Sequence, residues 1–147
     1  MASTRVLVVA NRTAATPALI DAVRGRAARG ACTFVLLVPN PVRGLDRATD
    51  PESHTRDEGE AVLALALPLL EEAAGAAVEG RVGDPDALTA IQDVVNFERF
   101  DEILISTLPS HVSRWLHLDL PRKAAALGLP VTTVTARARQ EVPAVAR

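Results

Sequence analysis

The segment DEILISTLPSHVSRW, Asp101 to Trp115, decides the fold of this chain. Its first half is a short run of Ile and Leu, typical of a buried strand, and its second half is a hydroxyl-rich loop that leads into a helix. In an open α/β sheet, ligands bind outside the carboxyl ends of the strands. The loop after this strand therefore predicts a ligand site, although it lacks the glycines that usually let a backbone approach a phosphate.

Five β-rich runs, this one included, alternate with four helical stretches. The predicted strands are Arg5 to Ala10, Thr33 to Val38, Ala77 to Val82, Glu102 to Thr107 and Val131 to Thr135. The first, second and fourth runs are almost continuous Val, Ile and Leu, which is typical of parallel strands covered by helices on both faces. The pattern predicts a doubly wound, three-layer α/β sandwich with its core within residues 5–136.

Two of the predicted helices begin with an N-cap residue followed by proline, at Thr16-Pro17 and at Asp84-Pro85. A second helix over 55–74 contains Pro68, which predicts a kink or a loosened turn. The fourth helix, over 115–127, contains Pro121, which either interrupts it or begins its main part.

Two segments lack apolar periodicity and are predicted to be irregular. Residues 39–59 mix arginines, carboxylates and two prolines, so we expect a long exposed loop there. Residues 137–147 are expected to form an exposed, slightly basic tail.

Composition argues against two classes of partner. The 147 residues, 48% of them hydrophobic, are enough for one domain, and the formal net charge of −2 lacks the basic face of a nucleic-acid-binding protein. The longest apolar run, Ala61 to Leu70, is about half of a membrane span. The first strand begins by Arg5, which leaves no room for a signal peptide, and the single Cys32 has no disulfide partner. We therefore expect a cytoplasmic protein that binds neither nucleic acid nor membrane.

Several local pieces carry a resemblance to a known family. They are VLVVA followed by Asn11, Val38-Pro39 ending the second strand, Gly83-Asp84-Pro85 after the third, and Leu129-Pro130-Val131 before the last. With the order of elements from Arg5 to Thr135, they make the chain resemble the universal stress proteins. The resemblance implies a single domain over 1–147, a five-stranded parallel sheet of order 3-2-1-4-5, a role in stress response, and a homodimer along the last strand, 131–135.

The resemblance also raises the question of ATP binding. Nucleotide-binding members carry an aspartate after the first strand and a G-x-x-G-x9-G-[ST] pattern after the fourth. Here Asn11 replaces the aspartate, Ser106, Pro109 and Asp119 stand at the three glycine positions, and Leu120 replaces the hydroxyl. Side chains at these positions hinder close backbone approach, Pro109 has no amide hydrogen, and Asp119 repels a phosphate. The sequence thus predicts a degenerate nucleotide site.

The loop after the fourth strand offers a substitute anion site. Hydroxyls and a guanidinium would replace backbone amides there, and the candidates are Ser106, Thr107, Ser110, Ser113 and Arg114. The alternative is that Ser110 or Ser113 only caps the following helix and that Arg114 lies in solvent.

Three further candidates follow the first strand: Asn11, Arg12 and Thr13. Strands 1 and 4 flank the switch point of a 3-2-1-4-5 sheet, so these residues should lie beside the loop after strand 4. The alternative is a turn in which Asn11 and Thr13 satisfy local backbone groups.

Other conspicuous residues have structural interpretations. Asp84 and Asp86 fit a helix cap and the N-terminal helix dipole. Asp101 and Glu102 lie at the start of their strand and so belong to the amino edge of the sheet, away from the expected site. Trp115 is expected to anchor the fourth helix, with ligand stacking as the alternative.

No catalytic or metal-binding set emerges from the sequence. The three histidines, His54, His111 and His117, lack the spacing of a zinc pair and have no matching cysteine or carboxylate set. The phosphate-binding G-x-x-x-x-G-K-[ST] and G-x-G-x-x-G motifs are absent, as is the G-x-S-x-G nucleophile elbow. We expect no resident metal and no assembled catalytic residues.

Two functions remain open at this point. The first is a non-catalytic binding or regulatory domain with a degenerate nucleotide site. The second is binding of ATP or another adenine nucleotide, with slow hydrolysis, through Asn11, Val38, Pro39, Gly83 and the loop over 106–114.

Overall fold

The computed structural model describes residues 4–40, 51–109 and 113–136, except for the side chains of 51–57. Strands and helices alternate along these ranges, and each predicted strand is present within one residue of its expected bounds. The strands are β1 (Thr4–Val9), β2 (Cys32–Pro39), β3 (Val78–Gly83), β4 (Glu102–Thr107) and β5 (Val131–Thr135). The helices are α1 (Pro17–Ala28), α2 (Pro51–Ala74), α3 (Ala87–Phe97), α4 (Arg114–His117) and α5 (Leu120–Ala125).

The strands form one parallel sheet in the order β3-β2-β1-β4-β5, which confirms the predicted topology. The central strand is β1, and Val8 lies between Leu36 of β2 and Leu104 of β4. The carboxyl ends of β1 and β4 are therefore adjacent, although 93 residues separate Thr13 from Ser106.

Alternate side chains of β1 face the two helical layers. Val6 and Val8 are fully buried in the layer formed with α1 and α2, where Leu19 of α1 also packs. Leu7 and Val9 are fully buried in the opposite layer, formed with α3 and α5. Helices cover both faces of the strand, so side chains on both faces are apolar. The near-continuous apolar run of β1 is therefore explained by the three-layer arrangement.

Helix α2 begins earlier than the sequence predicts. It starts at Pro51 rather than at residue 55, so the expected loop over 39–59 is wrong for 51–59; residues 41–50 lie outside the described residues. Gly59 is buried against Val82 and Asn40, which shows that tertiary packing outweighs the mixed polar sequence of this segment. The helix continues through Pro68, whose side of the helix is exposed.

The start of α3 also differs from its prediction. Asp86, not Asp84, is the N-cap, and its carboxylate accepts hydrogen bonds from the Thr89 amide at 3.0 Å and from Thr89 Oγ1 at 2.7 Å. Asp84 Oδ1 accepts a bond from the Asp86 amide at 2.8 Å and shapes the turn before the helix.

The predicted fourth helix is divided into α4 and α5. Asp119 lies between them with φ 60° and ψ 38°, the left-handed region. Pro121 then occupies the first turn of α5, where its missing N–H is not required, so it begins the second helix. The predicted tail over 137–147 lies outside the described residues.

The two acidic residues at the start of β4, Asp101 and Glu102, have structural partners at the amino edge of the sheet. Asp101 Oδ2 accepts a hydrogen bond from the Arg5 amide at 2.8 Å. The Glu102 carboxylate takes two bonds from the Arg26 guanidinium, at 3.0 and 3.1 Å. Asp101 thus links the start of β4 to β1, and Glu102 links it to α1. Both carboxylates lie at the amino edge of the sheet, far from its carboxyl edge.

Candidate functional site

A cavity of about 1220 Å³ lies at the carboxyl edge of the sheet, beside β1 and β4. It is somewhat larger than the roughly 300–1,000 Å³ of most small-ligand clefts. Seven of the predicted site residues line it: Asn11, Arg12, Thr13, Ser106, Thr107, Ser113 and Arg114. The structure thus brings together the two loops that the strand order predicts to be neighbours.

The turn after β1 is held to the end of β2 by Asn11. Its Nδ2 donates a hydrogen bond to the Pro39 carbonyl at 2.9 Å. Two tight turns follow, in which the Ala14 amide bonds to the Asn11 carbonyl and the Thr16 amide bonds to the Thr13 carbonyl, each at 3.2 Å. The Asn11 side chain therefore bonds across to β2 and not to the backbone of its own turn, and it also lines the cavity.

The hydroxyls of Thr13 and Ser106 join the two loops. Their Oγ atoms are 2.5 Å apart, and both side chains are buried. Thr107 is buried as well, and its Oγ1 lies 3.4 Å from Thr135 Oγ1. These hydroxyls form the polar floor of the cavity, where water is largely excluded.

Ser113 has the capping role that the alternative interpretation predicts. Its Oγ accepts a hydrogen bond from the Leu116 amide at 3.1 Å, and its side chain is buried. Arg114 begins α4 and is exposed to solvent while it lines the cavity. Ser110 and His111 lie outside the described residues.

Three predicted binding residues do not line the cavity. Val38 and Pro39 are buried within β2, where Val38 has no exposed surface. Gly83 ends β3, and a Cβ there would lie 2.9 Å from Ala90 Cβ and 3.0 Å from Leu37 Cδ1. The glycine is therefore required for the close packing of α3 on the sheet.

Several lining residues were not predicted because they come from other elements. They are Asn40, Glu58, Ala61, Val62, Pro85, Asp86, Ala87, Leu88, Leu118, Leu120 and Lys123. Glu58 and Ala61 lie on α2 in the segment expected to be a loop or near its end, and no local signal pointed to them. The placement of Lys123 depends on the left-handed turn at Asp119, which reorients α5 after α4.

Trp115 has the anchoring role predicted for it and is also exposed to the cavity. It packs against the core layer formed with α3 and α5, and it also lines the cavity. The sequence contains one tryptophan and no tyrosine, so the fluorescence of this indole reports directly on the cavity.

Charged side chains of both signs line the cavity. Arg12 and Arg114 lie on the loops after β1 and β4, Lys123 lies on α5, Glu58 lies on α2, and Asp86 lies at the start of α3. Hydrogen bonds from Thr89 hold the pKa of Asp86 below its ordinary value, with a smaller contribution from the positive charge of Lys123. Asp86 is therefore ionised at neutral pH. Within the described ranges, no three His, Cys, Asp or Glu side chains group as metal ligands would.

Comparison with solved structures identifies the architecture. A universal stress protein from Archaeoglobus fulgidus superposes with a TM-score of 0.64 at 16% identity, over 91% of this chain and 95% of that one. A universal stress protein in complex with cAMP superposes with a TM-score of 0.58 at 15% identity, over 90% and 98% of the two chains. The chain has the universal stress protein fold.

The universal stress protein fold is recognised here from structure. No protein-family model matches the sequence, and no curated protein matches it either. At 15–16% identity the likeness extends to the fold, and the ligand of this cavity has to be argued from its own residues. Among the described residues, none of the helices combines the length and the apolar character that crossing a bilayer requires.

Proposed function

We propose that this protein is a non-catalytic binding or regulatory domain of the cytoplasm, with the universal stress protein fold and a nucleotide site that has lost its phosphate cradle. The observation that carries the proposal is the chemistry at the three positions where nucleotide-binding members have glycine. Ser106, Pro109 and Asp119 occupy them here. A ligand other than a nucleoside triphosphate fits such a site better.

Each replacement weakens triphosphate binding in a different way. The Ser106 side chain is committed to Thr13 on the floor of the cavity, where glycine would leave the backbone open. Pro109 removes an amide donor. Asp119 keeps a left-handed backbone, but adds a carboxylate whose nearest cation is Arg122, 3.0 Å away.

The residue at the end of β1 supports the same conclusion. Asn11 is neutral, and its Nδ2 is already bonded to the Pro39 carbonyl. The aspartate of nucleotide-binding members would present a charged acceptor instead, so the polar recognition of a base is altered together with the phosphate cradle.

The cavity hydroxyls also lack the partners that catalysis requires. Thr13 bonds to Ser106, and Ser113 accepts a bond from a backbone amide, so no lining hydroxyl among the described residues is hydrogen-bonded to a histidine or a carboxylate. An activated nucleophile normally needs such a base within reach. A binding role accounts for these contacts without an added cofactor.

Titration calorimetry with ATP and Mg²⁺, together with an assay of phosphate release, tests the proposal. We expect no saturation below about 1 mM, equivalent to roughly −4 kcal/mol of binding free energy, and no release above the protein-free rate. Native mass spectrometry of freshly purified protein provides the second measurement. Saturation at micromolar ATP, or an adenine nucleotide that co-purifies, would overturn the proposal.

Adenine nucleotide binding is the alternative function, and two observations favour it. The cavity is large enough for a nucleotide, and a structural neighbour is a universal stress protein in complex with cAMP. In this alternative, Asn11 and the loop over 106–114 would contact the ligand, whereas Val38 and Gly83, which were predicted as contacts, do not line the cavity. Parallel titrations with cAMP and ATP distinguish it, because a single phosphate does not require a glycine cradle along a phosphate chain.

We also propose that the protein forms a homodimer along β5. The two edges of the sheet differ: β3 carries Glu79 and Arg81, whereas the sequence of β5, VTTVT, has neither charge nor proline. Charged residues and prolines are the usual protection of an edge strand, and β5 lacks both. Thr132, Thr133 and Thr135 are exposed, which leaves this edge available to a second copy.

A further inference from the structure

Two hydroxyl hydrogens on the floor of the cavity lack an acceptor. Four lining hydroxyl side chains, Thr13, Ser106, Thr107 and Ser113, are exposed by only 1–3%. The Thr13–Ser106 bond uses one of the two hydrogens of that pair, and Ser113 Oγ acts as an acceptor toward Leu116. One hydrogen of the pair and the hydrogen of Ser113 have no acceptor among the described residues. Since an unmatched buried donor is costly, the floor favours a ligand group that accepts hydrogen bonds.

Two cations lie at the same side of the cavity. Arg12 and Arg114 both line the cavity, and each directly follows a polar lining residue in the sequence, Asn11 and Ser113 respectively. Both side chains are exposed, and no carboxylate among the described residues lies within 4.0 Å of either one. Guanidinium groups bind carboxylates and phosphates through two parallel hydrogen bonds. The acceptor that suits this side is therefore an oxyanion.

Two other lining residues disfavour an oxyanion. Asp86 is ionised, with the cation Lys123 near enough to contribute to the lowering of its pKa, and Asn40 Oδ1 is a buried acceptor without a hydrogen-bond partner. The Pro39 carbonyl is already paired with Asn11, and the Asn40 amide with the Gly83 carbonyl. A negative group is thus favoured beside Arg12 and Arg114 rather than beside Asp86 and Asn40.

The remaining wall is apolar. Leu88 of α3, Trp115 of α4, Leu118 and Leu120 line it, and 49% of the Leu118 surface is exposed. Burial of such surface by an apolar ligand group is favourable in proportion to the area covered. The cavity therefore offers an oxyanion subsite and an apolar subsite side by side.

From this arrangement we propose that the cavity binds a single oxyanion, a carboxylate or a phosphate monoester, carried on an apolar body. The oxyanion accepts hydrogen bonds from the Thr13–Ser106 pair and from Ser113, and it pairs with Arg114 or Arg12. The apolar body lies against Trp115 and Leu118. The assignment rests on the proposed function, in that it names the ligand class of the same non-catalytic site.

Four small probes, three with six carbons and one with two, distinguish binding at the oxyanion subsite from binding at the apolar subsite. Hexanoate and hexyl phosphate carry both features, hexanamide keeps the body without the charge, and acetate keeps the charge without the body. None of the probes absorbs where tryptophan emits, so Trp115 fluorescence and titration calorimetry both follow binding. We expect hexanoate or hexyl phosphate to saturate the protein, and hexanamide and acetate each to bind at least about tenfold more weakly. The tighter of the two anions identifies the source as a carboxylate or a phosphate monoester.

Variants locate the oxyanion. Arg114→Ala changes an exposed side chain and should weaken the tighter anion about tenfold, with hexanamide unaffected. Ser106→Ala removes one hydroxyl of the floor and should weaken it severalfold. Arg24→Ala is the matched control, because Arg24 lies on α1 outside the cavity and pairs with Asp21. Thermal unfolding of each variant confirms that it is folded.

The outcomes are distinct from those of the ATP titration. Equal affinity for hexanamide and the anions, no saturable anion binding, or anion affinity that Arg114→Ala leaves unchanged would each overturn the oxyanion assignment. If the oxyanion assignment fails in one of these ways and ATP does not bind either, the proposed function, a site without a phosphate cradle, is still supported. Micromolar ATP binding overturns the proposed function itself, whatever the six-carbon probes do.

Discussion

At the scale of single residues, two helical glycines have opposite surroundings. A Cβ on Gly59 of α2 would lie 2.9 Å from Val82 Cγ1 and 3.0 Å from Asn40 Oδ1, whereas a Cβ on Gly25 of α1 would meet nothing within 4 Å. The same substitution should therefore change the free energy of unfolding in opposite directions.

For Gly59→Ala, the steric cost of about 1–3 kcal/mol should exceed the gain in helix propensity, so the protein is destabilised. For Gly25→Ala, the propensity gain of about 1 kcal/mol remains uncompensated, so the protein is stabilised. Urea unfolding followed by circular dichroism measures both. A shift of the same sign in the two variants would contradict the packing assigned to Gly59.

Asp119 is a second residue with an unusual conformation, at φ 60°. Alanine in the left-handed region is strained by roughly 1–2 kcal/mol, and glycine is not. We expect Asp119→Gly to unfold at a higher urea concentration than Asp119→Ala, with a difference of about 1 kcal/mol.

The salt bridge between Asp119 and Arg122 does not account for that difference. The side chains of Arg122 and Asp119 are 86% and 51% exposed, and exposed pairs contribute little. Arg122→Ala is the control and should change the stability by less than about 0.5 kcal/mol. If Asp119→Ala is as stable as Asp119→Gly, the left-handed turn is not present in solution.

Gly83 lies at the end of the third strand, as predicted, but its role differs from the predicted one. The resemblance placed it among the ligand contacts, but its missing side chain makes room for Ala90 and Leu37. Close packing between a strand and a later helix depends on the tertiary arrangement. No local sequence pattern distinguishes that reason for a glycine from a phosphate-binding one.

At the scale of the element, the start of α3 depends on which of two aspartates reaches the helix. Asp84 with Pro85 fits the usual N-cap pattern, but the Asp86 carboxylate accepts both bonds from Thr89. The sequence therefore predicted the helix and misplaced its first turn by two residues. Helix α2 is a similar case, since packing extends it to Pro51 through a stretch without apolar periodicity.

The Asp86 cap predicts a pH-dependent contribution to stability. Hydrogen bonds from Thr89 lower the pKa of Asp86 in the folded state, so its contribution is present above the unfolded value of about 3.9 and is lost as the pH falls through the folded value. Asp86→Ala should cost about 0.5–1 kcal/mol at pH 7, because this exposed cap lies at the low end of the usual range.

Urea unfolding at pH 7 and near pH 3 measures the effect. The difference between the unmodified protein and Asp86→Ala should shrink toward the acid end. Asp93→Ala, an exposed carboxylate within the same helix but away from its N-cap, should change the stability by less than about 0.5 kcal/mol. An Asp86→Ala difference that stays constant with pH would show that the ionised cap does not contribute.

At the scale of the whole molecule, the strand order could be predicted because buried parallel strands have a strong signature. β1, β2 and β4 each contain an unbroken run of three or four Val, Ile or Leu residues, and the carboxyl ends of β1 and β4 place Thr13 beside Ser106. The lining residues that α2 and α5 contribute could not be predicted. Lys123 follows the left-handed turn at Asp119, and Glu58 lies on the early part of α2, so the placement of each depends on how its helix docks.

The proposed dimer is the remaining property of the whole molecule. In an antiparallel pair of β5 strands centred on Thr133, this residue would face its own copy across the two-fold axis. Thr133→Lys would place two like charges opposite each other and add the protection that natural edge strands carry, so it should dissociate the dimer. Thr33→Lys, an exposed position on β2 at the other end of the sheet, is the matched control and should remain dimeric.

Analytical ultracentrifugation over a range of concentrations measures the effect. We expect the unmodified protein to sediment as a dimer at tens of micromolar, and Thr133→Lys to sediment as a monomer with an unchanged circular dichroism spectrum. A dissociation constant raised at least about a hundredfold corresponds to roughly 2.7 kcal/mol, which two facing lysines can supply where the strands exclude water. An unmodified protein that is monomeric throughout, or a Thr133→Lys variant that stays dimeric, would show that β5 is not the contact between copies.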